Sequence, residues 1–451
     1  MTWIDTFFEH NPELAGRVTQ RSAHATHFAL AGGLRRAVVT TAPQYFRGPH
    51  GWQSYDLNLR PDAAARWGAA GSPVRLAPDG SLSVGSYAQR TYSVGVWAQA
   101  GYTALAQLPA VARAAGTRLR REQGVFCHEL LLTENGVKEE LRIAAMPALE
   151  SRAGYLVYAT RRQGTPQGLQ FTPGHALDAA GRVLAVHHFE DGELHYTGLA
   201  LEDLAAASFP VVIDPLIAFG ALGDGFVAGQ HSTYDGARLN SSLYDSGGAD
   251  LFVGQAYEAS LPRYHAYRGF VKFSLASLNP MAQIYAATLG LACVVDASTL
   301  SDFDVQIVAQ DWSAQDPLSN GNREAAYDGC RTGSLAALWR NTAGVATNSL
   351  LSSAPLDVSG LLPGGMAYYS LRSSRDAGAN PPPANGAEYV RLAAAAHSNP
   401  ALRPALVVDY FAVPSAVMRS AQPTPQVRIQ DTRLKLRARR RKTLLHTVRL
   451  R

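Results

Sequence analysis

Cysteine is almost absent: Cys127, Cys293 and Cys330 are the only three in 451 residues, and they lie far apart. That scarcity excludes a disulfide framework and a paired-cysteine metal knuckle, and leaves buried core thiols as the expectation. No apolar run approaches about 18 residues, so no membrane-spanning helix and no membrane insertion are expected. Met1 to Gly33 lack a basic flank followed by an uninterrupted apolar core, so a secretory signal is not expected either. The familiar catalytic signatures are missing too. His128-Glu129 runs into Leu130, Leu131 and Leu132, which leaves HExxH without its second histidine. Gly223, Gly225 and Gly229 do not have dinucleotide-loop spacing, and there is no GxSxG elbow, P-loop or kinase loop. These absences point away from an enzyme.

What the chain has is 47% hydrophobic residues, 40 Gly and 25 Pro, enough apolar content for packed cores in more than one domain. Apolar and polar residues alternate between Gly, Pro, Asn and Asp, which predicts antiparallel strands. In the first half these fall at Arg35 to Thr41, Trp52 to Leu59, Gly124 to Leu132, Val137 to Ile143, Gly154 to Thr160 and Arg182 to Phe189. In the second half they fall at Asp250 to Val253, Tyr267 to Ser274, Ile284 to Val295, Asp304 to Gln310, Ala367 to Arg372, Glu388 to Ala393 and Ala405 to Phe411. Ala325 to Thr347 and Asn380 to Asn385 read as long loops. The expected fold is all-β: an N-terminal arm (1–26), a β-rich domain (27–217), a Gly-rich linker (218–230), a jelly-roll-like β-sandwich (231–412), a second linker (413–426) and a basic C-terminal arm (427–451).

The net charge of +5 is uneven. Arg428 to Arg451 hold ten Lys/Arg against Asp431, a net of +9, which leaves −4 on the remainder. The basic character therefore belongs to a short tail, and nucleic acid is disfavoured as a principal ligand because no aromatic residues interleave with it. Within the tail Arg433, Lys435, Arg437 and Arg439 alternate with Leu434, Leu436 and Ala438, and Arg440 and Arg441 follow. Arg433, Leu434, Lys435, Leu436, Arg437, Arg439, Arg440 and Arg441 are the candidate partner-docking residues of a tail expected to be disordered in isolation. It docks either as a strand added to a neighbouring sheet edge or by contact with a polyanion such as an acidic neighbouring subunit.

Several runs, in order, resemble the DNRLRE-type β-sandwich domain of bacterial surface and phage proteins: Tyr234 to Asp245, Leu251 to Gly254, Arg268 to Leu275, Ile284 to Leu291, Asp311-Trp312-Ser313, Leu356 to Ser359 and Arg403 to Tyr410. The first half resembles the region that often precedes such domains, through Arg35 to Pro43, Gly51-Trp52, Gly136 to Glu140 and Phe209 to Pro215. The resemblance implies a structural or adhesive component of a phage particle, in its tail or fibres, whose partners are other virion proteins, copies of itself and host-surface glycan. A polysaccharide-binding surface module is the alternative, and a polysaccharide-degrading enzyme a weaker one. For glycan stacking the second domain offers Trp312, Trp339, Tyr368 and Tyr369.

The densest cluster of metal-ligating residue types is His187 to Tyr196. A hairpin turned on Asp191-Gly192 would oppose Glu190 to Glu193 and His188 to His195, and place all four on one face. Two imidazoles and two carboxylates there make a weak divalent-metal site, the only cofactor expected. A salt-screened hairpin tip is the plainer reading.

Overall fold

The structure, a computed structural model, describes Pro12 and residues 16–412, apart from 63, 65, 135, 150, 167, 172–173, 215, 220–223, 260, 299 and 384–385. The chain is 54% strand and 9% helix in several antiparallel sheets, the all-β, multi-domain fold expected from the alternation. Met1–Ala412 is one compact unit. The linker 413–426 and the arm 427–451, with every docking residue from Arg433 to Arg441, lie outside the described residues.

Within the compact unit are two layered bodies. The first is a pair of nine-stranded sheets. In one, the twelve-residue strand Tyr87–Ala98 pairs with Tyr155–Gln163, which pairs in turn with Leu194–Ala200. In the other, the hairpin Phe126–Thr133 and Gly136–Ile143 continues into Val211–Asp214. Val94, Leu156, Tyr158 and Leu199 of the first sheet meet Leu141, Ile143, Val211 and Ile213 of the second, and all eight are buried. Period-two alternation thus works as read: one face of each strand enters the core between the sheets.

The second body is a single 14-stranded sheet that folds over itself. Its fold line is Gln283–Asp296, which pairs with Ala405–Phe411 over its first part and, after a register shift between Cys293 and Val295, with Ala387–Ala393. Ala37, Val39, Leu406 and Val408 pack against Leu251, Val253, Val271, Phe273 and Val390. All three cysteines are buried free thiols.

The expected boundaries do not follow this division. Residues 224–230, expected as linker, belong to the strand Asp224–His231, which pairs with Leu243–Ser246 on one side and Arg263–Ser274 on the other. Its glycines permit close approach and do not mark a hinge: a Cβ at Gly229 would overlap the carbonyl oxygens of Ala237 and Asn240, and one at Gly225 that of Asp245. Nor do residues 17–40 go with the first body. Arg17–Arg21, Ala25–Ala29 and Leu34–Thr40 form an antiparallel run whose last strand pairs with Ala405–Phe411. The expected loop Ala325 to Thr347 also holds regular structure, the end of the helix Arg323–Thr332 and the strand Ser334–Asn341.

Candidate functional site

The hairpin turns one residue later than expected, which moves every cross-strand partner by two. Glu190 opposes His195, His188 opposes Thr197 and Phe189 opposes Tyr196, so the turn residues are Gly192 and Glu193. Gly192 has φ +60° while Glu193 stays at negative φ, the pattern of a turn whose first central position needs glycine; an Asp-Gly pair in both central positions would need two positive φ values. His195 Nδ1 lies 3.0 Å from Glu190 Oε1 and His188 Nδ1 3.1 Å from the Thr197 hydroxyl, while Glu193 is drawn into the turn. The four residues do not converge as a ligand set. Among the described residues no group of three or more His, Cys, Asp or Glu side chains is arranged to hold a metal ion.

The stacking aromatics are displaced by burial. Trp312 is 1% exposed, packs edge-on against Phe270 and Tyr368, and donates Nε1 to the Tyr369 carbonyl at 3.2 Å. Trp339, 2% exposed, donates to the Leu351 carbonyl at 2.7 Å, and Tyr369 lies in the core. Tyr368 alone is half-buried, its hydroxyl 3.4 Å from Asp316 Oδ2. Trp312 and Trp339, with their indole donors satisfied inside, are core, while Tyr368 and Tyr369 line an open groove of about 670 Å³ with Asp311, Leu335 and Leu362.

His128, noted for its incomplete motif, sits between the sheets of the first body in a polar chain that local spacing does not reveal. Its Nε2 is 2.6 Å from Glu139 Oε1 and its Nδ1 accepts from Arg121 at 2.8 Å. Since Nδ1 is taken as an acceptor, the proton resides on Nε2, and burial keeps the imidazole neutral, its pKa lowered. Burial alone would raise Glu139, but the hydrogen bond from His128, the Thr91 hydroxyl at 2.7 Å and the charge of Arg162 lower it to about 2. Both ring nitrogens are committed, so the imidazole has no free position from which to take a substrate proton. The arrangement is a satisfied polar core.

The most concentrated buried charge lies where the two bodies meet. His175 Nδ1 is 2.8 Å from Asp245 Oδ2, with its ring edge-on to Phe226 and Phe252. Arg403 donates to Glu134 at 2.7 Å, Arg182 to Glu258 at 2.7 Å, and the Tyr389 hydroxyl to the Gly181 carbonyl at 3.0 Å. Each of these four links pairs one body with the other. Burial disfavours the charged imidazole of His175, but the adjacent Asp245 outweighs it and the pKa is raised. On the first-body side, Lys138 Nζ lies 3.0 Å from Asp214 Oδ2 and 3.1 Å from Glu140 Oε1. On the second-body side, burial pushes the Asp224 carboxyl up to about 7, against the pull of its hydrogen bond from the Ala395 amide. The runs Phe209 to Pro215 and Tyr234 to Asp245, singled out in the sequence, contain Asp214 and Asp245. Their meeting at His175 depends on tertiary packing and leaves no local signal.

Open to solvent is a polar groove of about 460 Å³ on the outer sheet of the first body, lined by Asp79, Gln89, Arg90, Gln107, Arg161 and Gln163 among others. No described helix is long and apolar enough to cross a membrane. No protein-family model matches the chain, and no curated protein matches it at a significant level.

Proposed function

We propose that the chain is a structural or adhesive component of a bacteriophage particle, positioned at the tail or its fibres, and that it works as part of an assembly and not as an enzyme. The observation that carries this reading is the seam of buried, paired charges between the two β-bodies. Each such pair is weak evidence for stability by itself, but removing one partner leaves an uncompensated charge and costs about 3 to 5 kcal/mol. Two bodies locked in this way resist relative motion, as a load-bearing part requires. The ordered series of motif resemblances supplies the phage setting, and the +9 tail supplies a means of joining acidic neighbours.

Quantitative mass spectrometry of gradient-purified particles tests it. A fixed copy number that survives salt washing supports the assignment, and loss of the chain from intact particles overturns it. The glycan-binding alternative rests on the polar groove at Arg90, Gln107, Arg161 and Gln163, whose amides and guanidinium groups suit hydroxyl or carboxylate ligands. Retention of the chain on host polysaccharide, lost on Arg161→Ala, would favour that alternative.

A further inference from the structure

We propose that Lys138 and Asp214 become joined by an intramolecular amide bond, with Glu140 as the group that moves the proton. Lys138 and Glu140 lie on the strand Gly136–Ile143, and Asp214 ends the neighbouring antiparallel strand Val211–Asp214. The register that pairs Leu141 with Ile213 places Glu140 opposite Asp214, with Lys138 reaching diagonally to both. Nζ is 3.0 Å from Asp214 Oδ2 and 3.1 Å from Glu140 Oε1, so the nucleophile is within hydrogen-bond reach of both the electrophilic carboxyl and the proton acceptor.

The surroundings suit the reaction. The Lys138 and Asp214 side chains are each only 10% exposed, so little water competes with the amine or returns to cleave the product. Asp214 Oδ1 is buried without a hydrogen-bond partner, free to become the amide carbonyl. Burial raises the Asp214 pKa, which eases transfer of a proton to the carboxylate as the amine adds to Cγ, although Lys138 and His175 oppose it. Burial would lower the Lys138 pKa, but Asp214 and Glu140 hold it above the ordinary lysine value, which makes proton removal the slow event and gives Glu140 its role.

The atoms balance without any outside reagent. Glu140 takes a proton from the ammonium, the neutral amine adds to Cγ of Asp214, and the Cγ–Oδ2 bond breaks. Oδ2 leaves as water, carrying two protons that both come from Nζ by way of Glu140: the one taken from the ammonium and the one the nitrogen sheds after adding to Cγ. An ammonium and a carboxylate become one amide and one water. The bond ties two adjacent strands of the sheet that faces the seam, and so strengthens the element through which the two bodies meet.

The test is the intact mass of the purified full-length chain under denaturing conditions, followed by a tryptic map. The expected mass is lower by one water, about 18 Da, with a branched peptide joining Lys138 to Asp214. Lys138→Arg should restore the full mass. Because that change disturbs a buried ion pair, Glu140→Gln is read in parallel: it should fold, judged by circular dichroism, and lack the branched peptide. Recovery of Lys138 and Asp214 in separate linear peptides of the wild-type chain overturns the proposal, as does a water loss located elsewhere. A branched peptide that persists in Glu140→Gln overturns the role of Glu140.

Discussion

Asp224→Asn separates the cost of a buried carboxylate from every other contribution to stability. Asp224 is 2% exposed at the start of its strand, with one oxygen on the Ala395 amide and the other, Oδ1, unpartnered. Burial moves its pKa from 3.8 to about 7. The folded protein therefore holds a proton that the unfolded chain releases near pH 4. The stability from this group is complete below the unfolded value and falls as pH rises, until the folded group has also ionised near 7. A shift of roughly 3 units corresponds to a loss of about 4 kcal/mol between pH 4 and pH 8. Asparagine keeps an acceptor for the Ala395 amide and does not titrate. Urea unfolding of both proteins across that range gives the variant's stability relative to wild type. This difference should climb by about 4 kcal/mol with rising pH, most steeply between pH 5 and 7. Histidines with lowered pKa values, such as His27 at about 4, act equally in both proteins and cancel. A difference that stays flat with pH would refute the argument, because Asp224 would then already be ionised in the folded state.

Further expectations concern the second body. Arg268 is fully buried, donates to both oxygens of Asp376 and to the carbonyls of Tyr327 and Arg238, and lies 3.7 Å over the Tyr327 ring. Arg268→Met should lower unfolding free energy by about 3 to 5 kcal/mol, and Arg268→Met with Asp376→Leu by less than the sum of the single changes, as read by chemical denaturation. Gly229→Ala should cost about 1 to 3 kcal/mol, because its new methyl meets backbone carbonyls that cannot rotate away; an unchanged melting temperature would show that the strand can shift.

Strand positions were legible wherever one face is buried and the other is not. In residues 137–143 Val137, Leu141 and Ile143 enter the core as expected, while Glu139 joins them on the buried face and Lys138 is buried on the opposite one. Alternation failed as a guide where both faces are covered. Arg263–Ser274 is buried along nearly its whole length, so Arg268 and Lys272 are interior ion-pair partners and not the polar face of a half-exposed strand. Glycine was ambiguous for a physical reason: the same missing side chain that loosens a linker also lets backbones touch, and Gly225 and Gly229 do the second. The helix Arg323–Thr332 carries Gly329 in its interior and buries only Ala326, Tyr327 and Cys330, a stripe too short to stand out. At the hairpin the residue types were visible, but a one-residue slip in the turn decided which side chains met. The seam between the bodies lay beyond any local reading, because its partners come from distant parts of the chain.

The first body is inserted within the sequence of the second, and this sets an order of events during synthesis. Ala25–Ala29 and Leu34–Thr40 leave the ribosome long before Ala405–Phe411, the strand that completes their sheet. His27 meets the Tyr410 hydroxyl across 383 residues. In the interval the intervening β-body can close on its own contacts, while the early strands wait with an open edge, the kind of surface that pairs wrongly with other nascent chains. Loop closure over such a span is slow. Production of soluble protein should therefore depend less on how stable the finished molecule is than on how well that first hairpin is shielded until its last partner arrives.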